Sequence, residues 1–430
     1  MTADNIAALA AEAYTFGFPA LEMQRVRYNT VFSPQARGRV PMNTFRHGRK
    51  LITADLREVT TPNNDTIYSS AWLDLSAGPI GLTIPATGER YYSFAFMDFF
   101  TNVFAIIGRR NKPGGNVSCF IAGPDWKGQP PPDAEFIRSP TNAVWLLARF
   151  LVDGADDVPA VNRLQDGSVL APSAAAQDTQ LIERQKIVVN AALDEPAHLF
   201  DVLNSVLAEN PASAKDGDVL KRIATIGIAP GKPFHVENAQ QAEALLRGVQ
   251  DARARLKHDV RALRHAERPG DWCRPPREIG DFETNHWLRA VVALAGLAAL
   301  PPAEAMYLST ISDETGTPLN GANRYRLRFA KDGMPPAHAF WSITLYEIDA
   351  EGRAWFTRND LNRYSIGDRT PGLKYGADGS LTIEIARAWG DASNILPAPE
   401  GPFFLSLRVY EPGKALLDGS YMPPPVVRQS

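Results

Sequence analysis

The chain has 430 residues, 44% of them apolar and 22% charged, with 45 Lys and Arg against 48 Asp and Glu for a net charge of −3. These values lie near the average for soluble globular proteins, which excludes a disordered chain, a collagen-like repeat and a nucleic-acid binder working by bulk charge. The length suits two or three domains, each with a usable core, and 34 Pro with 32 Gly favour many short strands over a helical bundle.

Ile6, Leu9, Ala10, Ala13 and Phe16 recur at helical spacing, and Gly17 with Pro19 is expected to end that helix. From Thr60 to Phe120 short apolar runs alternate with turn signals, and residues 90–98 alternate strictly, as a strand does. Residues 123–132 read as a loop and 142–151 as a strand or buried segment, while the low content of large apolar residues marks Asp153 to Asp178 as a linker. A helix is predicted from Glu237 to about Glu267, with Ala242, Leu245, Leu246, Val249, Ala252, Leu256, Val260 and Leu263 as its apolar stripe. A second runs from Trp287 to Leu300, where Pro301 and Pro302 stop it. Strand texture then returns at 324–329, 340–348, 381–387 and 403–410. The order β, α, β argues for two β-domains with packed helices and against a doubly wound α/β sheet.

Cys119 and Cys273 are far apart and neither belongs to a C-x-x-C pair, so two reduced thiols are expected. The first residues lack a basic region and an apolar run, so no signal peptide is expected. The most apolar stretch, 287–300, includes Arg289 and is too short to span a bilayer. A cytoplasmic protein without a membrane partner is the expectation. There is no G-x-G-x-x-G after a strand, no P-loop and no G-x-S-x-G, and the seven histidines form no H-x-H or H-E-x-x-H. Neither a metal nor a cofactor is expected. The basic residues Arg247, Arg253, Arg255, Lys257, Arg261, Arg264 and Arg268 read as a solvated helix face rather than a nucleic-acid stripe.

Four groups of residues could carry chemistry. Thr61-Pro-Asn-Asn-Asp-Thr-Ile-Tyr68 is either a structural Asx turn or a turn that presents Asn64, Asp65 and Tyr68 to a ligand. Residues 92, 94, 96 and 98 are Tyr, Phe, Phe and Asp; residues 341, 343, 345 and 347 are Trp, Ile, Leu and Glu. If both strands stay regular, Asp98 and Glu347 point into apolar cores, where burial raises a carboxyl pKa and makes an acid–base candidate. If each strand ends first, the acid is solvated or paired with Arg. Arg324, Arg326 and Arg328 share one strand face, fit to cover a sheet or to hold an anion. Asn362, Arg363 and Tyr364 open a Gly-punctuated polar loop that reaches Ser380, of the kind often used for function.

At these residues the chain resembles a known family. Thr61 to Leu75, with Gly78-Pro, Arg90-Tyr-Tyr and Thr101-Asn-Val, resembles the domain of unknown function DUF1254. Leu319-Asn-Gly, Ala339 to Tyr346, Asn362 to Arg369, Asp378 to Ile383, Leu396-Pro-Ala-Pro and Leu417-Asp-Gly-Ser resemble DUF1214. The resemblance implies a mainly β fold with a helical middle, two jelly-roll-like β-sandwich domains plus packed helices. The expected partition is an N-terminal helical segment at 1–50, a β-sandwich at 51–170, a linker and helical region at 171–305 and a second β-sandwich at 306–430. It implies no catalytic residues.

From the residues themselves we expect a metal-independent hydrolase or lyase acting on a small organic or sugar-like substrate between the β-domains. Asp98, Glu347 and Asp65 are the expected acid–base groups. Asn64, Tyr68, Arg324, Trp341, Asn362, Arg363 and Tyr364 are expected to bind substrate. The alternative is a non-catalytic β-sandwich that binds a carbohydrate or a partner. A homo-oligomer is compatible with either.

Overall fold

A computed structural model of the chain describes residues 1–57, 61–173, 195–262, 268–350, 352–390 and 393–429. It is mainly β with packed helices, and its strands form four sheets. In the first half a five-stranded sheet runs in the order β1 (Arg46–His47), β2 (Thr66–Asp74), β8 (Ala143–Leu151), β4 (Tyr92–Met97), β5 (Val103–Gly108). A four-stranded sheet of β7 (Glu135–Arg138), β6 (Val117–Ala122), β3 (Ile80–Ile84) and β9 (Val169–Pro172) shares its core. That core takes alternate residues, as the two-residue period of a strand requires: Ile67, Ala71 and Leu73, Phe94 and Phe96, Leu146, Ala148 and Phe150 from one sheet, with Leu82, Ile84, Cys119 and Ile121 from the other.

The last part of the chain repeats the plan. One sheet holds β10 (Ala305–Thr310), β17 (Phe403–Pro412), β12 (Ala337–Ile348) and β13 (Ala354–Phe356), with β14 (Ser365–Gly367) also on β12. The other holds β16 (Ile395–Pro397), β15 (Leu381–Ala386), β11 (Arg324–Phe329) and β18 (Val427–Gln429). Trp341, Ile343, Leu345, Leu405, Leu407 and Val409 meet Tyr325, Leu327, Phe329, Ile383 and Ile385 between the two.

Helices α1 (Ala3–Arg27), α3 (Pro196–Glu209), α4 (Gly217–Ala224), α5 (Ala239–Ala262) and α6 (His286–Gly296) form a separate layer. They bury one core together with Trp72, Met97, Phe99 and Phe100 of the first β-unit. Among the described residues no helix is long and apolar enough to cross a membrane.

Several expected boundaries move. The first helix runs on through Gly17 and Pro19 to Arg27, because Ala20, Leu21 and Met23 beyond the expected stop are buried in the helical core, and that packing outweighs the hydrogen bond lost at proline. It therefore belongs with the helical middle rather than standing apart. Gly17 is a contact site instead of a terminator, since a Cβ there would come 2.6 Å from a Leu203 methyl.

The expected linker is structured: α2 (Val158–Gly167) packs on the first β-unit through Val161, and β9 pairs with β3. The rest of that segment, from 174, lies outside the described residues. The apolar stripe of α5 holds at Leu245, Val249, Ala252 and Leu256, while Leu246 is exposed. Leu263, Arg264 and the side chain of Arg261 lie outside the described residues. The second helix stops at Gly296, a turn ahead of the prolines.

Candidate functional site

The residues that face away from the two cores face each other. With Leu146, Ala148 and Phe150 inside the first β-unit, the same strand turns Leu147, Arg149 and Leu151 outward. In the second unit β12 turns out Ser342, Thr344 and Tyr346, β17 turns out Ser406, Arg408 and Tyr410, and β10 turns out Ala305, Tyr307 and Ser309. On one side the two sheets close through apolar contacts among Tyr91, Ala95, Leu151, Leu300, Ala305, Phe340 and Tyr410. Beside that seam lies a polar cluster.

The turn ahead of β2 reaches across into this cluster. Asn63 Oδ1 accepts the Asp65 backbone N–H at 2.7 Å, an Asx turn, and its Nδ2 donates to Tyr410 OH at 2.7 Å and to Tyr68 OH at 3.3 Å. Ser342 Oγ donates to Asp65 Oδ2 at 2.7 Å and Ser365 Oγ donates to Asp65 Oδ1 at 3.3 Å. Ser365 also reaches Asn64 Oδ1 at 3.2 Å, and Tyr346 OH donates to the Pro62 carbonyl at 2.5 Å. Every one of these side-chain bonds except those of Asn63 to the Asp65 N–H and to Tyr68 joins one β-unit to the other.

Two arginines form the floor. Arg149 lies 5.2 Å from the Tyr68 ring centre and donates through Nη2 to the Ala298 carbonyl at 3.1 Å. Arg408 stacks on Tyr307 and Tyr346 at 5.5 and 5.4 Å and donates to Thr344 Oγ1 at 2.6 Å and to Tyr346 OH. Both guanidiniums are buried, while Asp65, Tyr68, Tyr307 and Ser365 keep part of their surface accessible.

This setting drives the titrating groups apart. Burial raises the Asp65 carboxyl pKa, against the opposing pull of Arg408 and of the Ser342 and Ser365 hydroxyls. Burial alone would also raise Tyr68, but Arg149 and then Arg408 outweigh it and the phenol pKa falls below its usual value. Tyr346 is pushed up to about 12 by burial. Among the described residues no three His, Cys, Asp or Glu side chains gather to hold a metal ion. What the recess offers is a carboxylate poised to exchange a proton, an acidified phenol, hydroxyls and two cations.

Of the residues predicted from sequence, the fold brings Asn64, Asp65 and Tyr68 together here, joined by Ser365 from the polar loop. Asp98 and Glu347 are not brought together. Strand β4 ends at Met97 after a register shift, and Asp98 caps the turn that follows. It accepts the backbone N–H groups of Phe100 and Asn102 and the Asn102 amide, all at 2.9 Å, with Arg289 of the helical layer nearby. Glu347 is half-buried and pairs with Arg57 at 2.8 Å.

Four further expectations are corrected. Trp341 is a core residue against Phe329 rather than a ligand contact, because β12 turns it inward. Arg324 is exposed on the outer sheet, where its neighbours Arg326 and Arg328 pair with Glu384 and Asp378. Arg363 ties its loop to the carbonyls of Ser393 and Ile395. Tyr364 is buried on Phe356, with its OH on exposed Asn362, beside the recess and not in it. Asn63, Arg149, Tyr307, Ser342, Tyr346, Arg408 and Tyr410 were not foreseen. The available signal was a lone charged residue, Arg149 or Arg408, inside two mostly apolar runs, 143–151 and 403–410.

The chain is similar to proteins of known structure. The VPA0106 protein from Vibrio parahaemolyticus, solved by crystallography, is 24% identical with a TM-score of 0.73 over 99% of this chain and 100% of that one, so the two share a fold. An uncharacterised protein from Burkholderia cenocepacia aligns over 100% of this chain and 96% of its own at 12% identity and a TM-score of 0.48. No curated protein matches the chain. Residues 42–172 match the family described as "Protein of unknown function (DUF1254)" and residues 304–414 match "Protein of unknown function (DUF1214)". The first match spans β1 to β9 and the second β10 to β17, and the chain belongs to the family that carries these two domains in tandem.

Proposed function

We propose that the chain is a metal-independent hydrolase or lyase that acts on a small organic or sugar-like substrate in the recess between the β-units. Each unit, a jelly-roll-like sandwich, supplies one wall. Asp65 is the general base, and it draws a proton from an attacking water or from the substrate itself. Tyr68 is the general acid, which returns a proton to the departing oxygen, and Asn63 spans the two by bonding both.

The observation that carries this reading is the divergence of the two groups: a carboxyl whose pKa is raised and a phenol whose pKa is lowered, in one partly accessible recess. Environments that push two titrating groups apart mark acid–base pairs. Asp98 and Glu347, held in a turn and by Arg57, have no part in it.

The test is a panel of 4-nitrophenyl esters and glycosides, with release of nitrophenolate as the readout. Asp65→Asn should lower turnover by about 10²–10⁴-fold, the usual contribution of a positioned base, and Tyr68→Phe by a smaller factor, both with wild-type circular dichroism. Turnover that survives Asp65→Asn would overturn the assignment.

A further inference from the structure

We propose that the substrate is an organic acid, a sugar acid or another small carboxylate, and that Arg149 with Arg408 forms the subsite for its carboxylate. This rests on the reading of the recess as the ligand site and adds the charge of the ligand.

Four arginines of the described residues are buried: Arg27, Arg149, Arg289 and Arg408. Isolated buried guanidiniums are costly, so buried cations are normally paired. Arg27 has Glu209 at 2.7 Å, and Arg289 has Asp216 at 4.0 Å. Arg149 and Arg408, each 4% exposed, have no carboxylate within 4.0 Å among the described residues. Arg408 spends its terminal nitrogens on a hydroxyl and a phenol. Arg149 gives one N–H to a carbonyl, and its Nε and Nη1 are buried without any hydrogen-bond partner.

The neighbouring acids are otherwise engaged. Glu304 pairs with Arg110 at 3.0 Å and accepts Tyr91 OH at 2.8 Å. Asp368, beside Asp65, accepts the Trp341 backbone N–H at 3.2 Å. Asp65 acts on Arg408 from beyond contact distance and is held by two serines. The aromatic faces of Tyr68, Tyr307 and Tyr346 offset part of the cost. Two cations against one carboxylate still leave a surplus positive charge beside the partly accessible Asp65, Tyr68 and Tyr307. A carboxylate entering past Asp65 and Tyr68 would complete it, and guanidinium is the side chain best matched to that group.

The experiment titrates acetate against the full chain and follows the acetate methyl linewidth by NMR, with acetamide as the neutral counterpart of the same shape. Saturable broadening is expected for acetate and none for acetamide. Arg149→Met should weaken acetate at least tenfold. Should that variant fail to fold, Asp65→Asn provides the second reading: removing the competing negative charge should tighten acetate at least twofold.

Equal behaviour of acetate and acetamide, or acetate affinity unchanged in Arg149→Met or Asp65→Asn, overturns the proposal. Asp65-dependent turnover of neutral substrates without acetate preference would sink the carboxylate subsite and leave the acid–base function standing. Acetate binding that tracks Arg149, with no turnover of any ester or glycoside, would do the reverse.

Discussion

Burial lifts the Asp98 carboxyl to about 6 from the 3.8 of a free aspartate, although Asn102, Arg289 and the Phe100 N–H all oppose it. In the unfolded chain the group is ionised above its ordinary pKa, whereas in the folded chain it holds its proton until pH 6. The folded state therefore binds more protons between those values, and stability from this site is present in full below pH 3.8 and lost as pH rises through about 6. At about 1.4 kcal/mol per pH unit the loss is at most about 3 kcal/mol. Asp98→Asn should remove that slope: thermal midpoints of the wild type should fall relative to the variant between pH 4 and pH 7, and a constant difference across the range would refute the burial argument. Asp65 has the same sign but a different consequence, because the proposed chemistry needs it ionised. Turnover should fall as pH drops through the raised Asp65 pKa, at a pH above the usual aspartate range. Ser342→Ala removes a hydrogen bond that holds this pKa down, so the acid limb of the rate profile should move further up. A limb that stays in place would separate Asp65 from the rate.

At the scale of elements, two helix glycines do opposite work to what a propensity scale assigns them. A Cβ at Gly248 would overlap the Ala7 carbonyl oxygen and come 2.9 Å from the Ala10 methyl, so α1 and α5 approach each other only because this position has no side chain. Gly248→Ala should cost about 1–3 kcal/mol in urea unfolding, the usual range for overpacking, even though alanine is the better helix former; a stabilised variant would show that the helices can part freely. The strands were legible because β4, β8, β12 and β17 alternate or are mostly apolar, broken only by isolated polar residues such as Arg149, Ser406 and Arg408. The site was only half legible, for a physical reason. The apolar stripe of Tyr92, Phe94 and Phe96, or of Trp341, Ile343 and Leu345, draws attention to the face that folds inward. The chemistry lies on the reverse face, where Ser342, Thr344 and Tyr346 read as ordinary solvent-facing positions until a second sheet covers them. Asp98 was misread because β4 ends at Met97 and the chain turns there, so its carboxylate accepts the Phe100 and Asn102 N–H groups instead of continuing the stripe, and no local residue pattern announces that end. Asn64, Asp65 and Tyr68 were readable since their turn concentrates polar groups within a few residues.

Across the whole molecule, the polar recess is also the joint. The first β-unit is tied to the second by Asn63 to Tyr410, Ser342 to Asp65, Tyr346 to Pro62 and the Thr61 N–H to the Ala354 carbonyl at 2.9 Å. Ion pairs of Arg109 with Glu411 at 2.6 Å and of Arg369 with Asp153 add to this from the edges, alongside the apolar seam around Phe340 and Tyr410. Parting the units would expose that seam and leave buried groups such as the Asn63 amide without partners, and such groups resist separation more than exposed ion pairs do. The two units should therefore unfold together. Urea unfolding followed by far-UV circular dichroism and by hydrogen exchange at β4 and β12 should give one midpoint, despite two separate cores. Asn63→Ala removes the bonds to Tyr410, to Tyr68 and to the Asp65 N–H at once, and should lower the stability of both units together by about 1–3 kcal/mol, the cost of stranded buried polar groups. Loss confined to β4, with β12 protected as in the wild type, would show that the recess is a passive gap between independent domains, and a ligand held by both walls would then have nothing to keep those walls in register.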